Sequence, residues 1–193
     1  MQKILKGTLL ACSLALAGAA TAGPSGAMLA NTCAGCHGTN GNSVGPASPS
    51  IAAMDKEVFV DAMKAYKDGS RVATIMDRIA KGYTDEQFAA MAEVFAAQKF
   101  VPAKQPADAA LAKKGAALHK KFCEKCHEDG GKSAADGGIL AGQWLTYMHY
   151  SMEDFMSGKR EMPKKMKTEV EKMTKAAGAD GAAQLLNFYA SQK

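Results

Sequence analysis

Two five-residue runs carry the chemistry of this chain: Cys33-Ala34-Gly35-Cys36-His37 and Cys123-Glu124-Lys125-Cys126-His127. Cys-x-x-Cys-His is the attachment signature of a c-type haem. Two thiols three residues apart stand on one helical turn and reach the two vinyl groups of one porphyrin. The histidine that follows brings its ring beneath the iron as an axial ligand. Cys33, Cys36, Cys123 and Cys126 are therefore candidate attachment residues, and His37 and His127 candidate iron ligands. Paired cysteines also suit zinc, but a histidine directly after both pairs favours haem.

A histidine–iron bond leaves one axial position. In an electron carrier a methionine thioether fills it, favouring ferrous iron and raising the potential. The chain has 12 methionines, and most are expected to fill core gaps. Met76, five residues past Arg71, is chosen for the first haem, with Met54 and Met63 as rivals. For the second haem the candidates are Met162 and Met166. Met76 lies 39 residues past His37 and Met166 lies 39 past His127, so the spacing favours Met166. His119 and His149 are expected to be packed or solvated helix residues.

That spacing reflects an internal repeat. The haem runs are offset by 90 residues, Gly69 and Arg71 recur as Gly158 and Arg160 at offset 89, and Phe95–Lys99 recurs as Tyr189–Lys193 at offset 94. Two homologous halves follow, with a few residues inserted in the second. Each is expected to be helical: a helix entering the haem run (Ala27 to Thr32; Ala109 to Phe122 behind Asp108), a middle helix and a closing one. The middle helices carry Phe59, Ala62, Met63 and Tyr66, and Trp144, Tyr147, Met148, Ser151 and Phe155, at helical spacing. Thr84 and Gln87 form a capping box for the first closing helix, and Asp180 is the expected cap of the second. Phe100–Pro106, with two prolines, is an extended link.

The N-terminus has the form of an export signal: Lys3 and Lys6, an apolar stretch from Leu9 to Ala20, and a small-residue cleavage site at Ala20-Thr21-Ala22. The stretch is short of the about 20 apolar residues that span a bilayer. The expected boundaries are a signal peptide over 1–22, a first domain over 23–101 and a second over 102–193. Cys12 falls in the discarded peptide, which leaves no cysteine outside the haem runs. The compartment implied is the periplasm. Beyond residue 22 there are 22 Lys and Arg against 19 Asp and Glu, a balance unlike that of a nucleic-acid binder. Halves of about 80 residues build marginal cores from side chains alone, so haem is expected to complete them.

The motifs resemble a known family, the dihaem cytochrome subunit of flavocytochrome c sulfide dehydrogenase. The particular stretches are Met28–Gly38, Asn42–Ile51, Arg78–Tyr83, Cys123–His127, Ile139–Trp144 and Phe188–Gln192, and the similarity is expected to cover the whole mature chain. The resemblance implies an all-α fold of two tandem class-I cytochrome c-type domains, each wrapped around one covalently bound haem. It places the iron ligands at His37, Met76, His127 and Met166. It also implies a separate FAD-binding flavoprotein subunit that oxidises sulfide, with electrons passing through the cytochrome to a soluble cytochrome c-like acceptor. In many class-I cytochromes a proline carbonyl accepts from the haem histidine. Gly45-Pro46 occupies that place in the first half, and Asp136-Gly137-Gly138 in the second.

From Gly23 to Met54 there is no charged residue, whereas lysines crowd the second haem run and its proposed methionine. Charge depletion suits a lasting interface, and a basic rim suits steered encounters with an acidic partner. The first haem is thus expected to face the flavoprotein. Rival readings are a free dihaem carrier and a dihaem peroxidase-type enzyme. A thiosulfate-oxidising enzyme with a cysteine iron ligand is disfavoured, because no cysteine is spare.

Overall fold

A computed structural model describes residues 23–133 and 137–193. The signal-peptide segment 1–22, with Cys12, lies outside the described residues, as does Asp136. The first half runs α1 (Gly26–Asn31), α2 (Ala34–His37), α3 (Lys56–Asp68), α4 (Met76–Ala80) and α5 (Asp85–Ala96). The second runs α6 (Ala109–Leu118), continued by a π-helical turn His119–Cys123, then α7 (Glu128–Gly131), α8 (Leu145–Met156), α9 (Lys164–Ala177) and α10 (Gly181–Ser191). Among the described residues there is no strand.

Local chemistry sets most of these ends. The Asp55 carboxylate accepts from the N–H groups of Glu57 and Val58 at the start of α3, and Asp108 accepts from Ala110 and Leu111 at the start of α6. Thr84 and Gln87 form the reciprocal capping box of α5. Asp180 differs from expectation: its side chain makes no capping bond to α10. The 3-10 turn Gly178–Asp180 runs into that helix with αR backbone, so Asp180 never takes the extended conformation that a side-chain cap needs. Trp144 stands at the N-cap of α8 rather than within it.

The two halves share a backbone frame. The N–H groups of Ile51 and Ala52 converge on the Gly41 carbonyl, and those of Leu140 and Ala141 on the Gly131 carbonyl. Ala53 donates to Phe95, and Gly142 to Tyr189, both at 2.8 Å. In each half the entering helix crosses the closing one at a glycine. A Cβ on Gly26 would lie 2.6 Å from the Ala90 carbonyl oxygen, and one on Gly115 would lie 2.0 Å from that of Gln184. No side chain fits either crossing.

The insertions are now placed. Gly115 is eight residues before Cys123 where Gly26 is seven before Cys33; the π turn His119–Cys123 takes up the extra residue. The larger insertion turns the five-residue α4 into the 14-residue α9. The first core gathers Phe59, Phe88, Met91 and Phe95 from α3 and α5, with the Phe59 and Phe95 ring centroids 5.5 Å apart. Burying one such ring stabilises by about 1.5–3 kcal/mol. The second core gathers Met148, Met173, Leu185, Leu186 and Tyr189 from α8, α9 and α10.

The link between the halves is extended, as expected, and both halves hold it. Asn42 brackets its start, donating to the Lys99 carbonyl and accepting from the Val101 N–H. Further along, Gln105 donates to the Gln143 carbonyl and accepts from the Leu145 N–H, each at 2.7 Å. The two halves also bring an arginine each close to the other, and each arginine stacks on a ring of its own half. Arg71 lies over the Tyr66 ring and Arg160 over Phe155, at 4.6 and 4.1 Å from the centroids. Burial, and then the nearby Arg71 charge, pull the Arg160 guanidinium down from its ordinary pKa.

Two candidate haem centres

Each haem run begins at the end of its entering helix. The N–H groups of Cys36 and His37 both donate to the Cys33 carbonyl, and those of Cys126 and His127 to the Cys123 carbonyl. This single turn sets the two thiols of each pair side by side. In both pairs the first cysteine is half-buried and the second exposed, and none of the four is in a disulfide. Burial pushes the Cys33 thiol up, partly offset by the Thr32 hydroxyl. It pushes Cys123 up to about 11, partly offset by a hydrogen bond from Tyr189.

His37 Nδ1 lies 2.8 Å from the Pro49 carbonyl oxygen and donates to it, which leaves Nε2 for iron. The acceptor is thus Pro49 and not Pro46, the expected one. Burial lowers the His37 pKa, and the Pro49 carbonyl partly restores it. In the second half the matching loop also lies against the ring: a Cβ on Gly137 would sit 3.3 Å from His127 Cε1. The other two histidines have protein partners. His119 is 2% exposed, with Nδ1 at 2.9 Å from the Tyr189 hydroxyl and Nε2 on the Glu124 carboxylate. His149 is exposed and pairs with Glu153 on the next turn of α8. Both match the expectation of packed or solvated residues.

Met76 opens α4 and is half-buried against the first core. Its rivals belong to the same core. Met63 is a core residue, and Met54 packs on the core with its methyl 3.8 Å from where a Gly138 Cβ would stand, in the other half. In the second half Met162 lines a cavity of about 700 Å³ with Phe155, Arg160, Lys167, Val170 and Thr174. Met166 is half-buried in the first turn of α9, on the face that also carries Glu169 and the buried Met173. Glu169 on that face is close enough for its charge to act on the Cys123 thiol.

The donor sets therefore fit a covalently attached haem in each half: two thiols on one turn, with a histidine directly after them lying against a loop. Sequence reasoning missed Gln143, Trp144, Ser43 and Ser50. Gln143 donates to the Ser50 carbonyl and accepts from the Ser50 N–H, both at 2.9 Å. Trp144 Nε1 donates to the Ser43 carbonyl. One signal was available. At offset 89, Gln143 is the repeat counterpart of Met54, an amide where the other half has a thioether.

Comparison with known proteins agrees with this geometry. A family model described as Cytochrome c matches residues 25–95. The fold and the paired sites define a class-I c-type cytochrome carrying two covalently bound haem c groups, an electron carrier. Cytochrome c4 of Pseudomonas aeruginosa is 33% identical over 171 residues, 83% of this chain and 84% of that protein. The solved cytochrome c4 of Acidithiobacillus ferrooxidans matches with a TM-score of 0.71 at 26% identity, covering 84% of this chain and 99% of that one. The chain belongs to the dihaem cytochrome c4 family. The cytochrome subunit of sulfide dehydrogenase from Chlorobaculum tepidum is 47% identical over 70 residues, 36% of this chain and 63% of that protein. The expected likeness to that subunit is thus found over part of the chain, and the likeness over most of its length is to cytochrome c4.

Proposed function

We propose that this cytochrome is the electron-transfer subunit of a sulfide-oxidising flavocytochrome c in the periplasm. It takes electrons from an FAD-containing partner and passes them to a soluble cytochrome c-like acceptor. A haem c supplies a one-electron ferric/ferrous couple, and the chain supplies ligands, spacing and docking surfaces. The first domain, 23–101, holds its iron with His37 and Met76. The second, 102–193, uses His127 and Met166.

A contrast between surfaces carries this reading. Met28 and Val44 flank the first haem run in sequence, and Val72, Ile75 and Ile79 flank Met76; all five are exposed apolar side chains, Val44 by 87%. Residues 23–54 carry no charge. The second half instead exposes Lys120, Lys121 and Lys125 at its haem run and Lys164, Lys165 and Lys167 around Met166. An apolar, uncharged surface suits a permanent subunit contact. A ring of lysines suits a mobile acidic acceptor. The partial 47% identity to a sulfide dehydrogenase subunit supports the choice of partner. Among the described residues no helix is long and apolar enough to cross a membrane.

Mild purification tests the pairing: a yellow FAD subunit should co-purify, and sulfide should reduce both haems of the complex. Charge reversal at Lys164 and Lys165 should slow acceptor reduction and flatten its salt dependence while sulfide-driven haem reduction keeps its rate. Substituting Met166 by leucine should abolish the methionine-to-iron charge-transfer band of the second haem, and the same change at Met162 should preserve it. The longer match to cytochrome c4 favours a second reading, a free dihaem carrier. A chain that always purifies alone, without flavin, establishes that reading.

A further inference from the structure

The peptide unit that joins Pro49 to Ser50 is held at both of its polar ends. Its carbonyl oxygen accepts from His37 Nδ1 at 2.8 Å, and its N–H donates to Gln143 Oε1 at 2.9 Å. Gln143 comes from the other half of the chain, 93 residues away, and is 4% exposed. Its Nε2 closes a second bond to the Ser50 carbonyl, and its Oε1 also accepts from the Trp144 N–H at 3.1 Å, so both polar ends of the carboxamide are held. Ser50 is equally buried, and its hydroxyl oxygen accepts from the Ser43 N–H, tying the loop back on itself.

We propose that Gln143 is a positioning residue for the first haem: through the Pro49–Ser50 peptide it fixes and strengthens the acceptor that holds His37. The tuning of one haem is thereby written into the other half of the molecule. The inference rests on His37 as an iron ligand and needs nothing from the sulfide reading. A peptide whose N–H is already donating is polarised, and its oxygen becomes a better acceptor. A better acceptor at Nδ1 makes the imidazole a stronger donor to iron and stabilises the ferric state. Removing the Gln143 contact leaves the Ser50 N–H buried without that partner and weakens the chain of bonds that ends at the metal.

The repeat supplies a comparison within the same molecule. Gln143 corresponds to Met54, and the Pro49–Ser50 loop corresponds to Gly138–Ile139. Met54 does reach the Gly138 position across the interface, but with a methyl group. Each half thus leans on the other's histidine loop, one with a two-way polar clamp and the other with an apolar contact. Gln143 thus gives the first haem a polar contribution from the other half of the chain, by which its potential is set separately from that of the second.

The test uses purified holoprotein, titrated electrochemically, with proton NMR signals of the axial ligands assigning each potential to its haem. Gln143→Met installs the side chain of the repeat counterpart. At a fixed applied potential the ferrous-to-ferric ratio of the first haem should rise roughly tenfold, with the second haem unmoved. Trp144→Phe removes only the neighbouring bond to the Ser43 carbonyl and should move neither haem. Equal shifts at both haems, no shift in Gln143→Met, or the same shift in Trp144→Phe would each overturn the proposal. Independently of any variant, the Ser50 amide should exchange slowly with solvent in the unsubstituted holoprotein; fast exchange at that amide also overturns it.

Discussion

The first and second halves use one frame with different fillings. In the first, ten residues of the described chain form a buried cluster around Phe88 and Met91; in the second, the cluster has six. The second half compensates with polar ties in its interior: His119 bridges Tyr189 and Glu124, and Asn187 accepts from the Asp108 N–H. It also replaces the five-residue α4 by the 14-residue α9, whose outer face is crowded with lysine and glutamate. A repeated fold can thus keep its backbone contacts while shifting its stabilisation from apolar packing to hydrogen bonds, which hold only when each partner is present.

Haem removal should widen this difference most. The haem-free chain is expected to melt without cooperativity, and amide exchange should show the second half losing protection before the first, because its apolar cluster is the smaller. A cooperative, native-like melt of the haem-free chain contradicts this. Next in size are the helix crossings. Gly115→Ala should destabilise the second half by about 3 kcal/mol and Gly26→Ala the first by roughly 1–2 kcal/mol, since overpacking costs grow with the clash; denaturant melts of the holoprotein read both.

Substituting His119 by phenylalanine should cost about 2 kcal/mol, because the Tyr189 hydroxyl and the Glu124 carboxylate each lose a bond to the imidazole. The visible spectrum should stay that of a histidine–methionine haem; a change in ligation would make His119 an iron ligand after all. The smallest effects lie at the closing helices. Thr84→Ala, which breaks a reciprocal capping box, should cost about 1 kcal/mol. Asp180→Ala should cost less than about 0.5 kcal/mol, since that carboxylate caps nothing.

Much of the molecule is legible in the residues themselves. The haem runs, the entering helix behind Asp108 and the capping box at Thr84 all follow from interactions within a few residues. The failures have a common cause. Asp180 has the right residue type for a cap, but the 3-10 turn before it sets another backbone conformation. Pro46 and Pro49 lie three residues apart in one loop, and only the folded path of that loop decides which carbonyl meets His37. Met54, weighed in the sequence only for its thioether, also packs against Gly138 of the other half.

The sequence by itself determined the chemistry: two covalent haem sites, an internal repeat and a helical frame, because thiol spacing, periodicity and caps act over one or two turns. Tertiary structure decided how the sites are held. His119 meets Tyr189 across 70 residues, Gln143 meets Ser50 across 93 and Trp144 meets Ser43 across 101. No local pattern encodes such pairs. They arise because packing, inside the second half for the first pair and between the halves for the other two, buries polar groups that must then find partners.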